Sequence, residues 1–329
     1  MRKVLLTGST GFIGSTLSSY LINSGVNLQV ILRSKNSGFL NSISEFVVED
    51  LSSLSANDLV AFNEKSGFFI DIDCVIHLAG RAHVVNEHIE NPLEEFRKVN
   101  KDSTLVLAKF AAENGVKRFV FISSIGVNGN NNLKPFTELD IAGPQEPYAV
   151  SKFEAEEGLL KIAKETDMEV VIIRPPLVYG PNAPGNFGSL VKWVNKGVPM
   201  PFGAVHNKRS LVALDNLVDF IALCADREKS PKASNQVFLI SDGEDVSTTE
   251  LLQKVAKAFN KKARLLPIPV GLMTFVAKLL VKGDVANRLF GSLQVDSSKA
   301  RNLLGWKPVI TMDEQLKKTA EVYLKENKK

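Results

Sequence analysis

The stretch Val4-Leu5-Leu6-Thr7-Gly8-Ser9-Thr10-Gly11-Phe12-Ile13-Gly14 reads as a buried strand that turns into a helix through three glycines. Bare backbone N–H groups at such a turn, with the partial positive charge of a helix N-terminus, form a receptor for a pyrophosphate. Glycine-rich turns occur wherever strands meet helices, so the triplet alone is weak, and its place directly behind the first strand strengthens it. A second stretch, Tyr148-Ala149-Val150-Ser151-Lys152, puts a phenol and an ammonium one helical turn apart on one face. There the cation is expected to hold down the phenol's pKa. Together the two stretches point to a nicotinamide cofactor and a tyrosine acid/base.

From residue 1 to about 174, short apolar runs alternate with helical segments, the pattern of a parallel sheet wrapped by helices. Strands are expected at Val4-Leu6, Leu28-Leu32, Phe46-Val48, Cys74-Leu78, Arg118-Ser123 and Glu169-Ile173, with helices starting near Gly11, Ser55, Pro92 and Pro147. Beyond Arg174, eleven Pro and Gly positions from Pro175 to Gly203 predict a loop-rich stretch suited to substrate recognition. A helix near Asn216-Ala225 and a strand at Gln236-Ile240 return to the sheet, and helices follow near Thr248-Phe259, Pro269-Val281 and Met312-Lys325. The fold class is α/β, a Rossmann-type doubly wound parallel sheet with a smaller, mostly helical C-terminal lobe. Residues 1–174 are expected to form the NAD(P)-binding domain, with return segments near 207–240. Residues 175–206 and 241–329 are expected to form the substrate lobe.

The 329 residues leave room for two domains. Forty Lys and Arg against 36 Asp and Glu give a net charge of +4 without a basic stripe or a reading motif, which argues against nucleic acid as a partner. Cys74 and Cys224 sit in apolar runs and read as buried, reduced thiols, so a cytoplasmic location is expected. The opening apolar run breaks at Thr7-Gly8, too early for a signal-peptide core. The run Val270 to Val281, interrupted by Lys278, is too short for a membrane span and reads as a core or surface-docking helix. His77, His83, His88 and His206 show no metal-ligand spacing, and no metal is expected.

At the end of the second strand Arg33-Ser34 stands where a carboxylate would meet the ribose of NAD, and a cation there suits the 2′-phosphate of NADP. NADP(H) is therefore favoured, with NAD(H) as the other cofactor. Asp50-Leu51, after the third strand, reads either as an adenine contact or as a helix cap. Ser123 and Ser124 end the fifth strand at the sheet's carboxyl edge, where ligands bind. Each residue also has a plain structural reading: a solvated arginine, a pair of turn serines, an amphipathic helix face.

The glycine turn, His77-Leu78-Ala79-Gly80, Ser123-Ser124 with Gly129, Tyr148 to Lys152, Arg174-Pro175-Pro176-Leu177-Val178-Tyr179-Gly180-Pro181, Arg209 and Leu304-Gly305-Trp306 resemble the extended short-chain dehydrogenase/reductase family. More narrowly they resemble its nucleotide-sugar epimerase/dehydratase/reductase branch, in order over nearly the whole chain. The resemblance implies Ser124, Tyr148 and Lys152 as the catalytic set. It implies a cofactor held by Gly8, Gly11, Phe12, Ile13, Gly14, Arg33, Asp50, Leu51, Leu78, Ala79, Gly80, Asn100, Tyr148, Lys152 and Pro175. A UDP-sugar would meet Arg81, His83, Ser124, Asn186 and Arg209, the last gripping the diphosphate. A homodimer through the helices around 92–114 and 147–164 is also implied.

Three departures narrow the reaction. The branch's 4,6-dehydratases carry an Asp-Glu pair after the catalytic hydroxyl, and here Ile125-Gly126 stand instead. Arg33 favours an exchangeable NADP(H) over a tightly held NAD. Leu177 replaces an Asn that often meets the diphosphate, leaving Asn186 as a substitute. The motifs around Asn182-Gly188, His206-Leu211 and Ser241-Asp245 resemble a bacterial surface-polysaccharide subgroup, often labelled UDP-glucose 4-epimerase. Its members are similar to 4-reductases of UDP-4-keto-6-deoxy-N-acetylglucosamine. The expected function is thus NADPH-dependent reduction of that C4 ketone. The alternatives are an NAD-dependent UDP-hexose or UDP-N-acetylhexosamine 4-epimerase, and a non-catalytic NADP-binding sensor or scaffold.

Overall fold

The structure, a computed structural model, describes residues 3–34, 43–82, 91–279 and 289–326. Seven strands form one sheet: β1 (Lys3–Thr7), β2 (Asn27–Leu32), β3 (Ser44–Val47), β4 (Cys74–His77), β5 (Arg118–Ile122), β6 (Glu169–Arg174) and β9 (Gln236–Leu239). Their order is β3-β2-β1-β4-β5-β6-β9, every pair parallel. The inner strands are largely apolar because helices cover both faces of the sheet. On one face α1 (Phe12–Asn23) and α7 (Leu214–Ala225) bring Leu17, Leu21, Leu217 and Phe220. On the other, α2 (Ala56–Ser66), α4 (Ser103–Glu113) and α5 (Pro147–Glu165) bring Leu59, Leu107 and Leu159. Strand order reverses between β1 and β4, and ligands of open α/β sheets bind in the crevice beyond the carboxyl ends at such a point.

The helix expected from Pro92 is interrupted. α3 (Pro92–Arg97) passes through a π-turn at Lys98–Asp102 before α4 begins. Such turns insert one residue into the helical ladder and often mark functional positions; this one carries Asn100.

The stretch after Arg174 is more ordered than its Pro and Gly content predicts. β7 (Leu177–Tyr179) runs parallel to β8 (Arg209–Ala213), which pairs antiparallel with β10 (Asp245–Val246) in a second, three-stranded sheet. Between them α6 (Gly185–Lys196) buries Phe187, Leu190, Val191 and Val194 on one stripe, a helical spacing masked by the surrounding prolines. α8 (Thr248–Ala258) begins with a capping box from Ser247 and Glu250. The apolar run from Val270 forms α9 (Val270–Leu279). Among the described residues no helix is long and apolar enough to cross a membrane, and no cluster of potential ligands could hold a metal. Cys74 and Cys224 are buried free thiols, and burial pushes the Cys74 thiol up to about 12.

His77 is buried at the end of β4, as its position in an apolar strand suggests. Its Nδ1 stands 2.8 Å from Thr7 Oγ1, which accepts the Ala79 N–H, and its Nε2 stands 2.9 Å from Thr104 Oγ1, which donates to the Asn100 carbonyl. The donor sequence is satisfied by a neutral imidazole protonated at Nε2. Burial, and secondarily the Lys152 charge, push its pKa down to about 3. The unfolded chain thus binds a proton below its ordinary histidine pKa that the folded chain refuses, and stability falls as pH drops through that range. At pH 5 this amounts to about 2 kcal/mol. Denaturant titrations at pH 7 and pH 5 should show that loss in the native chain and most of it removed in His77→Gln.

Candidate active site

The glycine turn is built so closely that side chains are excluded. Gly8 adopts φ +72° and its Cβ would stand 2.8 Å from Ala79 N; a Cβ on Gly14 would stand 2.0 Å from Gly8 O. Gly11 N–H donates to Gly8 O, and Gly11 caps α1 without any side-chain hydrogen bond or acid in the first turn. The open N–H groups and the dipole of α1 therefore face the crevice uncompensated. Ser9 Oγ is buried there without a partner. Phe12 and Ile13 pack against the hydrophobic core from the first turn of α1.

Across the crevice the segment after β4 is fixed by Asn100. Its Oδ1 accepts from Arg81 N at 2.8 Å, and its Nδ2 donates to Arg81 O and Ser151 Oγ, both at 3.0 Å. A Cβ on Gly80 would meet Asn100 Oδ1 at 3.1 Å and Lys152 Nζ at 3.3 Å. Leu78, Ala79 and Gly80 therefore lie against both the glycine turn and the lysine. This is the arrangement a dinucleotide needs, and the residues present fit one: a side-chain-free cradle, an uncapped helix terminus and a buried unpaired hydroxyl.

Lys152 is buried; its Nζ donates to Ile122 O at 2.9 Å and stands 4.4 Å over the Phe121 ring. Burial pushes the ammonium down to about 8, with Glu156 opposing the shift. Tyr148, at the start of α5, meets Phe96 edge-on at 6.0 Å between centroids, and burial pushes its phenol up to about 12. The expectation that Lys152 holds the phenol down is therefore corrected for the chain on its own. Desolvation disfavours the charged form of each group and is the cause that acts on the phenol. Beneath them Arg174 is buried, pairing with Glu156 of α5 and donating to Asn128 Oδ1 at 2.9 Å, which ties β6 to the helix that carries Tyr148.

Ser124 follows β5 and caps a short turn over Ile125–Val127, its Oγ accepting from Gly126 N at 3.1 Å. It lines a cavity of about 270 Å³ with Pro175, Leu177, Asn186, Arg209 and Thr248. Of the expected substrate residues the structure brings Ser124, Asn186 and Arg209 together here. Pro175, assigned to the cofactor from sequence, borders the same cavity and accepts Ile125 N through its carbonyl. Arg209 donates to Gly291 O at 3.0 Å, and burial alone lowers its pKa. No carboxylate pairs with it among the described residues.

Arg81 forms a 3.1 Å ion pair with Glu95 and does not line the cavity with Ser124. Asp50 caps the turn Leu51–Ser53; Ser52 hydrogen bonds hold its carboxyl below the usual range, helped by Arg81 and Arg33. The cap reading of Asp50 thus accounts for its contacts, while Arg33 is exposed at the edge of the crevice. His83 lies outside the described residues. Sequence reasoning missed Leu190, Leu211, Val246, Ser247, Thr248, Leu251 and Leu289, which complete the cavity wall. Their apolar periodicity predicts burial and carries no signal of a ligand.

The profile of the NAD dependent epimerase/dehydratase family matches residues 4–240. A UDP-glucose 4-epimerase of Vibrio cholerae is 44% identical over 336 aligned positions, spanning 99% of this chain and 97% of that protein. The crystal structure of a UDP-glucose 4-epimerase with UDP-glucose from Thermotoga maritima superposes with a TM-score of 0.77 at 25% identity, covering 99% and 100% of the two chains. MoeE5 in complex with UDP-glucose and NAD superposes equally, with a TM-score of 0.77 at 25% identity over 99% of each chain.

The Lys152 geometry yields a measurable consequence. A lysine whose folded pKa is depressed destabilises the fold below that pKa, and the penalty fades as pH rises toward the unfolded value. Lys152→Met should therefore gain stability at pH 7, on the order of 2 kcal/mol, and the gain should shrink by pH 10. Thermal melts of both proteins at the two pH values check it; a gain that does not change with pH would assign the effect to packing.

Proposed function

The chain belongs to the NAD dependent epimerase/dehydratase family, and from that premise we propose that it is a UDP-sugar 4-epimerase that inverts C4 of a UDP-hexose or UDP-N-acetylhexosamine. The observation that carries the reading is Arg209, a half-buried guanidinium without a carboxylate partner among the described residues, on the wall of a cavity that Ser124 also lines. A partly desolvated, unpaired cation favours a bound anion, and a planar fork matches a diphosphate. The 44% identical relative's name favours epimerisation over the ketoreduction that the sequence departures suggest.

A nicotinamide bound between the glycine turn and Lys152 supplies the hydride exchange at C4. The chain manages the proton. Once ionised, Tyr148 Oη would take it from the C4 hydroxyl and, as the phenol, later return it to the ketone oxygen. Ser124 Oγ hydrogen-bonds the same oxygen as charge develops. Because burial raises the phenol, the protonated form dominates at neutral pH, and Lys152 makes its loss easier only once a further positive charge stands nearby. Asn100 keeps Gly80 and α5 in register, so the hydroxyl and ammonium keep one geometry. Pro175, Pro176, Leu177, Leu190, Leu211 and Leu251 make most of the cavity wall apolar. Such a wall offers a keto-sugar few hydrogen bonds to break when it turns its other face, as epimerisation requires.

A second reading, NADPH-dependent 4-ketoreduction, is favoured by one feature: Arg33 is exposed beyond β2, where a 2′-phosphate would lie. A 4,6-dehydratase is disfavoured because the positions after Ser124 are Ile125 and Gly126, which form a turn without acid or base.

Purified protein should interconvert UDP-glucose with UDP-galactose, or UDP-GlcNAc with UDP-GalNAc, without added reductant, as read by NMR of the sugar anomeric region. Consumption of NADPH with a UDP-4-keto-6-deoxyhexosamine and no interconversion would replace epimerisation with reduction. In either case Tyr148→Phe should lower kcat by at least about 100-fold while leaving cofactor binding in place. Unchanged turnover would remove Tyr148 from its role.

A further inference from the structure

Charge is divided unevenly along this nearly neutral chain. Residues 170–214 and 251–279 hold eleven of the 40 Lys and Arg and none of the 36 Asp and Glu. Arg174 is buried against Glu156 and Arg209 lines the cavity with Ser124; of the rest, the end of α6 and the residues after it meet the 261–266 stretch on one side of the fold. Lys261 reaches the Asn195 carbonyl and side chain at the end of α6. The Met200–Gly203 segment pairs with Arg264–Leu266 through Met200 N to Arg264 O, Leu266 N to Met200 O and Gly203 N to Leu266 O. α9 follows directly, its first turn opened by Leu272 N and Met273 N donating to Pro269 O, and its Val270 and Met273 pack against the same hydrophobic cluster as Leu265.

The strip exposes large apolar groups among its cations. Leu266 is 52% exposed, Leu272 55% and Phe275 61%, and Trp193 of α6 is also exposed. Lys257, Lys261 and Lys262 border an open recess of about 670 Å³ beside them, with Leu265 on its wall. Lys257 is paired with Asp313 at 3.6 Å, whereas Lys261 and Lys262 have no acid within ion-pair distance among the described residues. A soluble surface seldom gathers exposed Leu, Phe and Trp without a partner. A predominantly cationic rim, with Asp313 paired to Lys257 and no acid on Lys261 or Lys262 among the described residues, lies beside apolar side chains and complements an anionic bilayer, whose headgroups meet the lysines while the aliphatic and aromatic groups enter the acyl boundary.

We propose that this face, formed by the end of α6, the 260–267 strip and the start of α9, docks the protein peripherally on anionic phospholipid membranes. Leu272 and Phe275 are the inserting groups, with Leu266 beside them, and Lys261 and Lys262 hold the headgroups. Thr248 and Leu251 of α8 border the substrate cavity while Gln253 and Lys257 of the same helix border the lysine recess. Docking would thus hold the sugar site within one helix length of the bilayer.

The test is co-sedimentation of the full chain with vesicles of phosphatidylcholine alone or carrying about one-third phosphatidylglycerol. Binding is expected only to the anionic vesicles and should weaken as salt is raised. Lys261→Gln with Lys262→Gln should weaken it about thirtyfold. Leu272→Ser with Phe275→Ser should weaken it at least about tenfold. Activity on soluble UDP-sugars, where present, should be unchanged in both, so failure here is distinguishable from failure of the epimerase reading. Absence of binding to anionic vesicles at low salt, or equal binding by both double variants, would overturn the proposal. A change of oligomeric state in the serine variant, read by analytical ultracentrifugation, would also overturn it by assigning the face to contact between copies of the chain.

Discussion

The structure depends on how closely two pieces of backbone approach at the carboxyl edge of the sheet. Gly14 of α1 lies over Gly8 O at a distance that leaves no room for a methyl group, and Gly8 itself lies against the amide of Ala79 beyond β4. This double contact seats the N-terminus of α1 at the point where strand order reverses. It also sets where the chain after β4 must pass. Thr7 Oγ1 accepts Ala79 N–H and bonds His77, which in turn reaches Thr104, so the contact extends through hydrogen bonds into α4. The crevice is therefore shaped by what is missing from three residues as much as by what is present elsewhere.

Asn100 carries the same constraint to the chemistry. An amide offers both donors and an acceptor, and this one uses them on Arg81 and Ser151 from within a helical irregularity. A regular helix from Pro92 to Glu113 would turn that side chain away by part of a turn. The π-turn keeps it directed at α5, one residue from Lys152. Burial then acts on Tyr148 and Lys152 in opposite directions, and both shifts favour the neutral species. Two groups poised this way are unfavourable to keep and informative to find, because such environments are concentrated where function demands them.

What the sequence disclosed was local. Gly8, Gly11 and Gly14 follow the first strand at three-residue spacing, and most strands of the large sheet are short, largely apolar runs, so the sheet was readable without any long-range knowledge. The second sheet was not, because β7, β8 and β10 are two to five residues long and are brought together from positions far apart in the chain. α6 was hidden by the prolines and glycines around it. Ser124, Tyr148, Lys152 and Asn100 were named from pattern and resemblance, but the upward shift of the phenol was invisible, since desolvation comes from Phe96 and the packing of α5. The Arg81 ion pair was out of view for a similar reason: Glu95 is fourteen residues away in sequence and a hydrogen bond away in space. Arg209 was named without the feature that makes it informative, its lack of a carboxylate partner among the described residues.

The path of the chain has a consequence for how this molecule can change over time. From β6 it leaves the large sheet to lay down β7, α6 and β8, returns through α7 to place β9 beside β6, then leaves again for β10 and the closing helices. The last strand of the large sheet is thus supplied only after most of the small sheet exists. Neither portion can be exchanged as a cassette by a single crossover between genes. Variation in ligand preference must instead accumulate by substitution and loop insertion within segments whose ends are anchored on both sides.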